Sequence, residues 1–181
     1  MGKKGKKKSN APMIGVLKSG LFILAVLLMT FVLSRYVFER VRVHNHSMEH
    51  TLESGDGVMI DKISYRFRDP KRFDIIVFKQ KGSEDLIKRV IGLPTETVQI
   101  VDGKFLIDGE PIEDIKGLDA PEYAGIASKP IELSVGEYFV VGDNRSESID
   151  SRYEDVGVVT STRIKGRMFM RIYPFSKIKI F

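Results

Sequence analysis

Asp85-Leu86-Ile87-Lys88-Arg89-Val90-Ile91-Gly92-Leu93-Pro94 is the stretch from which the rest of the chain can be ordered. Leu86 to Ile91 has the length and the branched apolar content of a strand, and Gly92 and Pro94 close it. Period-two alternation sets Leu86, Lys88 and Val90 on one face. A lysine so flanked ordinarily lays its stem on apolar surface and keeps its ammonium in water. The sharper alternative is a lysine desolvated enough to lose its proton near neutral pH and act as a general base. The residues of this run leave both readings open.

Working outward, the neighbours also read as short strands broken by turn residues. Val58-Met59-Ile60 follows the turn Ser54-Gly55-Asp56-Gly57, and Phe73 to Phe78 is an apolar run of strand length. Thr97 to Val101 and Lys104 to Ile107 flank Asp102-Gly103, a strong hairpin signal, and Asp108-Gly109 ends the second arm. Tyr138 to Val141, Val156 to Val159 and Ile164 to Ile172 add further strands, and Pro174 is expected to stop sheet pairing. Residues 108–133, rich in Pro, Gly, Ala and acidic side chains, read as a small insertion or loop. The expected fold is mostly β, in one domain over residues 39–181.

Ahead of these strands, Met13 to Leu33 carries one charge, Lys18, and Tyr36, Val37 and Phe38 extend the run toward a membrane interface. This predicts a transmembrane anchor over residues 13–38. A cleaved signal peptide shares the charged start and apolar run, but Arg35, Tyr36, Phe38 and Arg40 stand where small residues should precede a cut. Residues 1–12 form a basic tail expected in the cytoplasm, which places the domain on the outer face of a single-pass cell-membrane protein.

The formal charge of +5 belongs to that tail. Lys3, Lys4, Lys6, Lys7, Lys8 and Lys18 all precede the first acidic residue, Glu39, and the remainder is near neutral. The domain therefore offers no evident phosphate-binding surface, and no nucleic-acid partner is expected. The chain has no cysteine, which excludes disulfides, thiolate metal sites and a cysteine nucleophile.

Beyond the anchor comes His44-Asn45-His46-Ser47-Met48-Glu49-His50-Thr51-Leu52. Taken with two later stretches, it resembles the bacterial type I signal peptidases, membrane-anchored Ser/Lys proteases that remove signal peptides from exported preproteins. The family's Ser-Met-x-Pro-Thr-Leu is similar to Ser47–Leu52, and its Arg-Gly-Asp-Ile-Val-Val-Phe to Arg72–Phe78. Its Lys-Arg-x-x-Gly-Leu-Pro-Gly-Glu is similar to Lys88–Glu96, and Gly-Asp-Asn-Arg-x-x-Ser-x-Asp-Ser-Arg is met in full by Gly142–Arg152. The resemblance covers the anchor and nearly all of residues 41–175, in the family's order.

That resemblance implies a signal-peptidase-like coiled β-sheet domain, with Ser47 as nucleophile and Lys88 as the general base hydrogen-bonded to it. It implies Ser148 as an orienting group for the lysine amine. Ion pairs of Asp143 with Arg89 and of Asp150 with Arg152 would frame the site. Met48, Leu52, Val77, Leu86 and Ile87 would line small pockets for the residues one and three before the cut. Signal peptides and the lipid bilayer are the implied partners, with no metal and no cofactor. Four positions depart from the pattern: His50 replaces a proline, Phe73 and Thr95 replace glycines, and Asn45 replaces the usual Gly or Ser. Asn45 is expected to donate its side-chain N–H to an oxyanion beside the backbone N–H of Ser47.

Two rivals belong to other classes. His44, His46 and His50 have spacings that could ligate zinc, and His46 or His50 could serve a serine as base. A non-catalytic signal-peptidase-like assembly factor is the third reading.

Overall fold

The computed structural model describes residues 11–80, 82 and 85–181, with side chains from residue 15. They divide into two units, one ending at Val37 and one running Phe38–Phe181. The first is helix α1 (Ala11–Val32), continued by one wider turn over Leu33–Val37. Gly15–Val37 is 23 residues long and apolar enough to cross a bilayer. Its described side chains are almost all exposed, as expected of a helix that is apolar on every side and has no protein face to bury. The basic tail lies outside the described residues except for 11 and 12, which open α1.

Phe38 ends the anchor earlier than its apolar character suggests. It begins β1 (Phe38–Arg42), which pairs along its full length with β2 (Gly57–Asp61). Then come β3 (Ile75–Lys79) and β4 (Asp85–Gly92), followed by β5 (Thr97–Val101), β6 (Lys104–Ile107) and β7 (Glu110–Pro111). The chain continues through β8 (Ile131–Glu132), β9 (Glu137–Val141), β10 (Val159–Thr160), β11 (Ile164–Tyr173) and β12 (Lys179–Ile180).

All pairings are antiparallel. The larger sheet runs β1-β2-β11-β3-β4-β9-β10, with β12 on the outer half of β11. The smaller runs β7-β6-β5-β8. Register shifts interrupt β11 at Ile164/Gly166, Met168/Met170 and Arg171/Tyr173, and β4 at Val90/Gly92. Each inserts a residue on one side and increases local twist, which coils the sheet. Asp102-Gly103 and Asp108-Gly109 all take positive φ, the geometry a two-residue hairpin between right-twisted strands requires.

Three expectations are corrected. Pro174 does not end sheet pairing: the chain turns at Phe175–Lys177 and returns as β12, because proline removes a donor only at its own position. Val156–Val159 is shorter than expected, since only Val159 and its neighbour Thr160 pair. The stretch expected as a loop supplies β7 and β8, which flank the small sheet.

β4 lies at the centre of the packing. Ile87 joins a cluster with Val43, Met48, Leu52, Ile75, Val77 and Met168. Ile91 joins a second with Val98, Ile100, Phe105 and Phe139. Val90, with half-buried Leu86, joins a third around Ile76, Phe78, Tyr138 and Val140. A strand that feeds three cores is held rigidly, and it carries Lys88 in its middle.

Candidate active site

Lys88 is 1% exposed. Burial pulls its ammonium down to about 8, because desolvation penalises the charged form; the Arg152 guanidinium lowers it further, and Asp150 and Asp143 pull the other way. Arg89 of β4 pairs with Val141 of β9, so Lys88 and Gly142 are the residues that flank the last pair of this ladder.

Gly142 explains how the parts meet. A Cβ there would stand 2.2 Å from Ser148 Oγ and 2.4 Å from the Ser47 carbonyl oxygen. Only a bare backbone lets the loop after β9 pass between these two groups. The next residues dock onto the turn at Ser47. Asn144 N–H donates to the Ser47 carbonyl (3.1 Å), and Asn144 Nδ2 donates to the His46 carbonyl (3.2 Å) and Glu49 Oε2 (3.3 Å). The turn is closed from within by Thr51 and Leu52 N–H groups donating to the Met48 carbonyl.

Two buried ion pairs brace this arrangement. Arg89 is bidentate on Asp143, through Nε to Oδ1 (2.8 Å) and Nη2 to Oδ2 (2.5 Å), and also donates to the Phe73 carbonyl and to Thr51 Oγ1. Arg152 is bidentate on Asp150, at 2.8 and 2.9 Å, and donates to the carbonyls of Ser148 and Tyr123. Asp150 Oδ2 in turn accepts the Gly142 N–H (3.0 Å). Ser148 Oγ is buried without a hydrogen-bond partner among the described residues.

The other sequence-derived site residues fall as follows. Met48, Leu52, Val77 and Ile87 share one apolar cluster beside the turn at Ser47. Leu86 does not join them, because the strand's alternation turns it to the cluster of Phe78 and Val90. Asn45 presents its oxygen to Ser47, the reverse of the expected donor. Oδ1 accepts the Ser47 hydroxyl (2.9 Å) and faces the Ser47 N–H (3.4 Å). The Ser47 hydroxyl is thus spent on Asn45, and no hydrogen bond joins it to Lys88 among the described residues.

His46 and His50 turn to different carboxylates: His46 Nδ1 pairs with Glu49, and His50 Nε2 lies 3.4 Å from Asp119. The Glu49 hydrogen bond raises the His46 pKa. Among the described residues, no three His, Asp or Glu side chains converge as a metal site.

The departures at His50, Phe73 and Thr95 all take positive φ, at 75°, 70° and 71°. Phe73 and Thr95 therefore keep a backbone region natural to glycine while carrying a side chain, and Phe73 uses its ring to pack on the second core. Proline at position 50 could not adopt this conformation. The sequence reading missed Asn144, Glu49 and Thr51 as parts of the frame. Asn144 lay within a quoted motif, but only the fold shows that its amide meets the Ser47 carbonyl.

A family model described as signal peptidase, peptidase S26, matches residues 16–173. The chain belongs to that family. A signal peptidase I of Leptolyngbya laminosa is 38% identical, covering 94% of this chain and 85% of its own length. A probable signal peptidase I-2 of Synechocystis is 34% identical, covering 96% and 80%, and signal peptidase I T of Bacillus subtilis is 31% identical, covering 98% and 93%. Membership makes the chain a serine endopeptidase.

Proposed function

We propose that this chain removes N-terminal signal peptides from exported preproteins, with Ser47 as nucleophile and Lys88 as general base. The observation that carries the reading is Lys88, buried on β4, which with the glycine that separates Ser47 from Ser148 flanks the last pair of the β4–β9 ladder. A lysine whose pKa is about 8 is substantially neutral just above that pH, so its amine can take a proton. Ser47 Oγ attacks the scissile carbonyl, Lys88 accepts its proton and passes it to the leaving amine, and an acyl-enzyme forms. Lys88 then takes a proton from water as its oxygen attacks the ester carbonyl, and returns that proton to Ser47 Oγ as the ester C–O bond breaks, which frees the new carboxyl end and restores both side chains.

The unpartnered Ser148 hydroxyl suits the role of accepting from the lysine amine and fixing its direction. The Ser47 N–H is the oxyanion donor. Asn45 Oδ1 occupies the position of an acceptor in the free enzyme and is displaced by the substrate's carbonyl oxygen. Arg89 with Asp143, and Arg152 with Asp150, hold the frame. Met48, Leu52, Val77 and Ile87 pack as a buried apolar layer behind the turn at Ser47, backing the place where small side chains before the cut would sit.

The apolar helix would anchor the enzyme in the bilayer that holds its substrates, with the basic tail in the cytoplasm and the domain on the outer face. No nucleic-acid partner enters this reading. The test is cleavage of one purified preprotein by the full-length enzyme in detergent micelles. Wild type should release the mature protein and Ser47→Ala should not; equal cleavage by both would refute the assignment.

A further inference from the structure

Both peptide planes that flank Ser47 are held by one residue from a distant part of the chain. Asn144 N–H donates to the Ser47 carbonyl (3.1 Å), and Asn144 Nδ2 donates to the His46 carbonyl (3.2 Å). The His46 carbonyl and the Ser47 N–H are opposite edges of one rigid, planar peptide. Fixing the carbonyl on one side therefore aims the N–H on the other. That N–H is the oxyanion donor of the mechanism above, and it faces Asn45 Oδ1 at 3.4 Å, an oxygen standing where the substrate's would come.

A primary amide has two ends, and only one serves here. Were the Asn144 amide turned over, Oδ1 would meet the His46 carbonyl oxygen and the grip would become a repulsion. Two side chains address this choice. Ser146 Oγ donates to Asn144 Oδ1 (3.0 Å), and Glu49 Oε2 accepts from Nδ2 (3.3 Å). Ser146 is exposed, and a hydroxyl can turn to donate or accept, so it fits either orientation. A carboxylate only accepts, so Glu49 admits one. Its other oxygen is engaged by His46 Nδ1, and its own N–H donates to the His46 carbonyl (3.1 Å), so the carboxylate is itself held in place.

We propose that Glu49 is a positioning residue for the peptidase reaction: through the Asn144 amide it aims the Ser47 N–H at the developing oxyanion. Glu49 stands at the position that the Ser-Met-x motif leaves open, so the device belongs to this chain's own sequence. The proposal rests on the peptidase reading given above. An oxyanion donor gains most as negative charge develops, so loosening its aim lowers kcat and spares KM.

The test uses full-length enzyme in micelles, one signal-sequence peptide as substrate and two probes that are not cleaved. Each probe is the same peptide ended at the cut, as an aldehyde or as the primary alcohol. With the aldehyde, Ser47 Oγ bonds to the carbonyl carbon, its proton passes to Lys88, and the carbonyl oxygen becomes the oxyanion; the alcohol cannot react. Glu49→Ala should lower kcat at least tenfold with KM within twofold. It should weaken the aldehyde at least tenfold and the alcohol less than twofold. Glu49→Gln keeps an acceptor oxygen for Asn144 Nδ2 and should stay within threefold of wild type in kcat.

An unchanged kcat in Glu49→Ala overturns the proposal while leaving the peptidase reading intact. So does a loss confined to KM, or one equal on aldehyde and alcohol, which marks general damage to the site. A Glu49→Gln enzyme as slow as Glu49→Ala overturns it as well. Wild type that cuts no peptide and binds the two probes alike overturns the peptidase reading, and this proposal with it.

Discussion

Lys88→Met should make the protein more stable while destroying its activity. The wild-type domain holds an amine in a place that drops its pKa from lysine's ordinary 10.5 to about 8. Below pH 8 the folded state therefore buries an ammonium, at a cost of about 3 kcal/mol relative to the neutral form. Methionine keeps a similar length in the same space and removes the charge. The sign follows from proton counts. Between pH 8 and 10.5 the unfolded lysine is protonated and the folded one is not, so wild-type stability rises with pH through that window and is lowest below it. The mutant lacks this term, and its advantage should be about 3 kcal/mol at pH 6 and fall below about 1 kcal/mol by pH 10. For a domain spanning Phe38–Phe181 this corresponds to a Tm gain of roughly 10 °C at the lower pH. Thermal unfolding of full-length wild type and mutant in micelles, from pH 6 to 10, measures it. The wild-type kcat/KM should rise with pH through an acid limb near 8. A mutant less stable at pH 6, or an advantage that does not change with pH, would refute the claim that burial depresses Lys88.

Asp143→Asn leaves the Arg89 guanidinium buried without its counter-charge and should cost about 3–5 kcal/mol, read as a fall in Tm with loss of cleavage. Gly142→Ala should lower activity at least a hundredfold, because its Cβ has no room between Ser148 Oγ and the Ser47 carbonyl; retained activity would mean the two groups are not held as described. Thr95→Gly should raise stability by about 1 kcal/mol, since a β-branched residue at φ 71° pays for a conformation glycine takes freely; unfolding midpoints check it.

Much of the fold was legible wherever local chemistry decided the outcome. Asp102-Gly103 could make only one kind of turn, and Leu86–Ile91 had a strand's length and composition. The apolar run before Arg35 could be read from length alone. Boundaries set by pairing were not legible. Phe38 is apolar enough for an anchor but is claimed by Asp61 across a sheet, and Lys179–Ile180 pairs only because a turn at Phe175 brings it back to β11.

The site divides in the same way. Resemblance named Ser47, Lys88, Ser148 and the two ion pairs, while Leu86 was assigned to a pocket from which strand alternation removes it. Asn45 was read as a donor because an amide has both ends, and only the position of the Ser47 N–H and hydroxyl decides which end faces them. Arg145 was quoted inside a motif and given no role. Its burial over Phe105, with Asp114 beside it, is a property of the packed interior, which no spacing records.

The contact of Asn144 with the Ser47 carbonyl also governs when the enzyme becomes dangerous. It joins segments that leave the ribosome almost a hundred residues apart, with all the strands from β2 to β9 between them. Until that long-range closure is made, Lys88 is an ordinary hydrated lysine with a pKa near the usual value of about 10.4, and the base proposed for Ser47 is not yet in place. On the proposed mechanism, a chain in which this contact has not formed has no activated serine. Proteolytic competence, on that mechanism, waits on the docking of the loop after β9 onto the turn at Ser47.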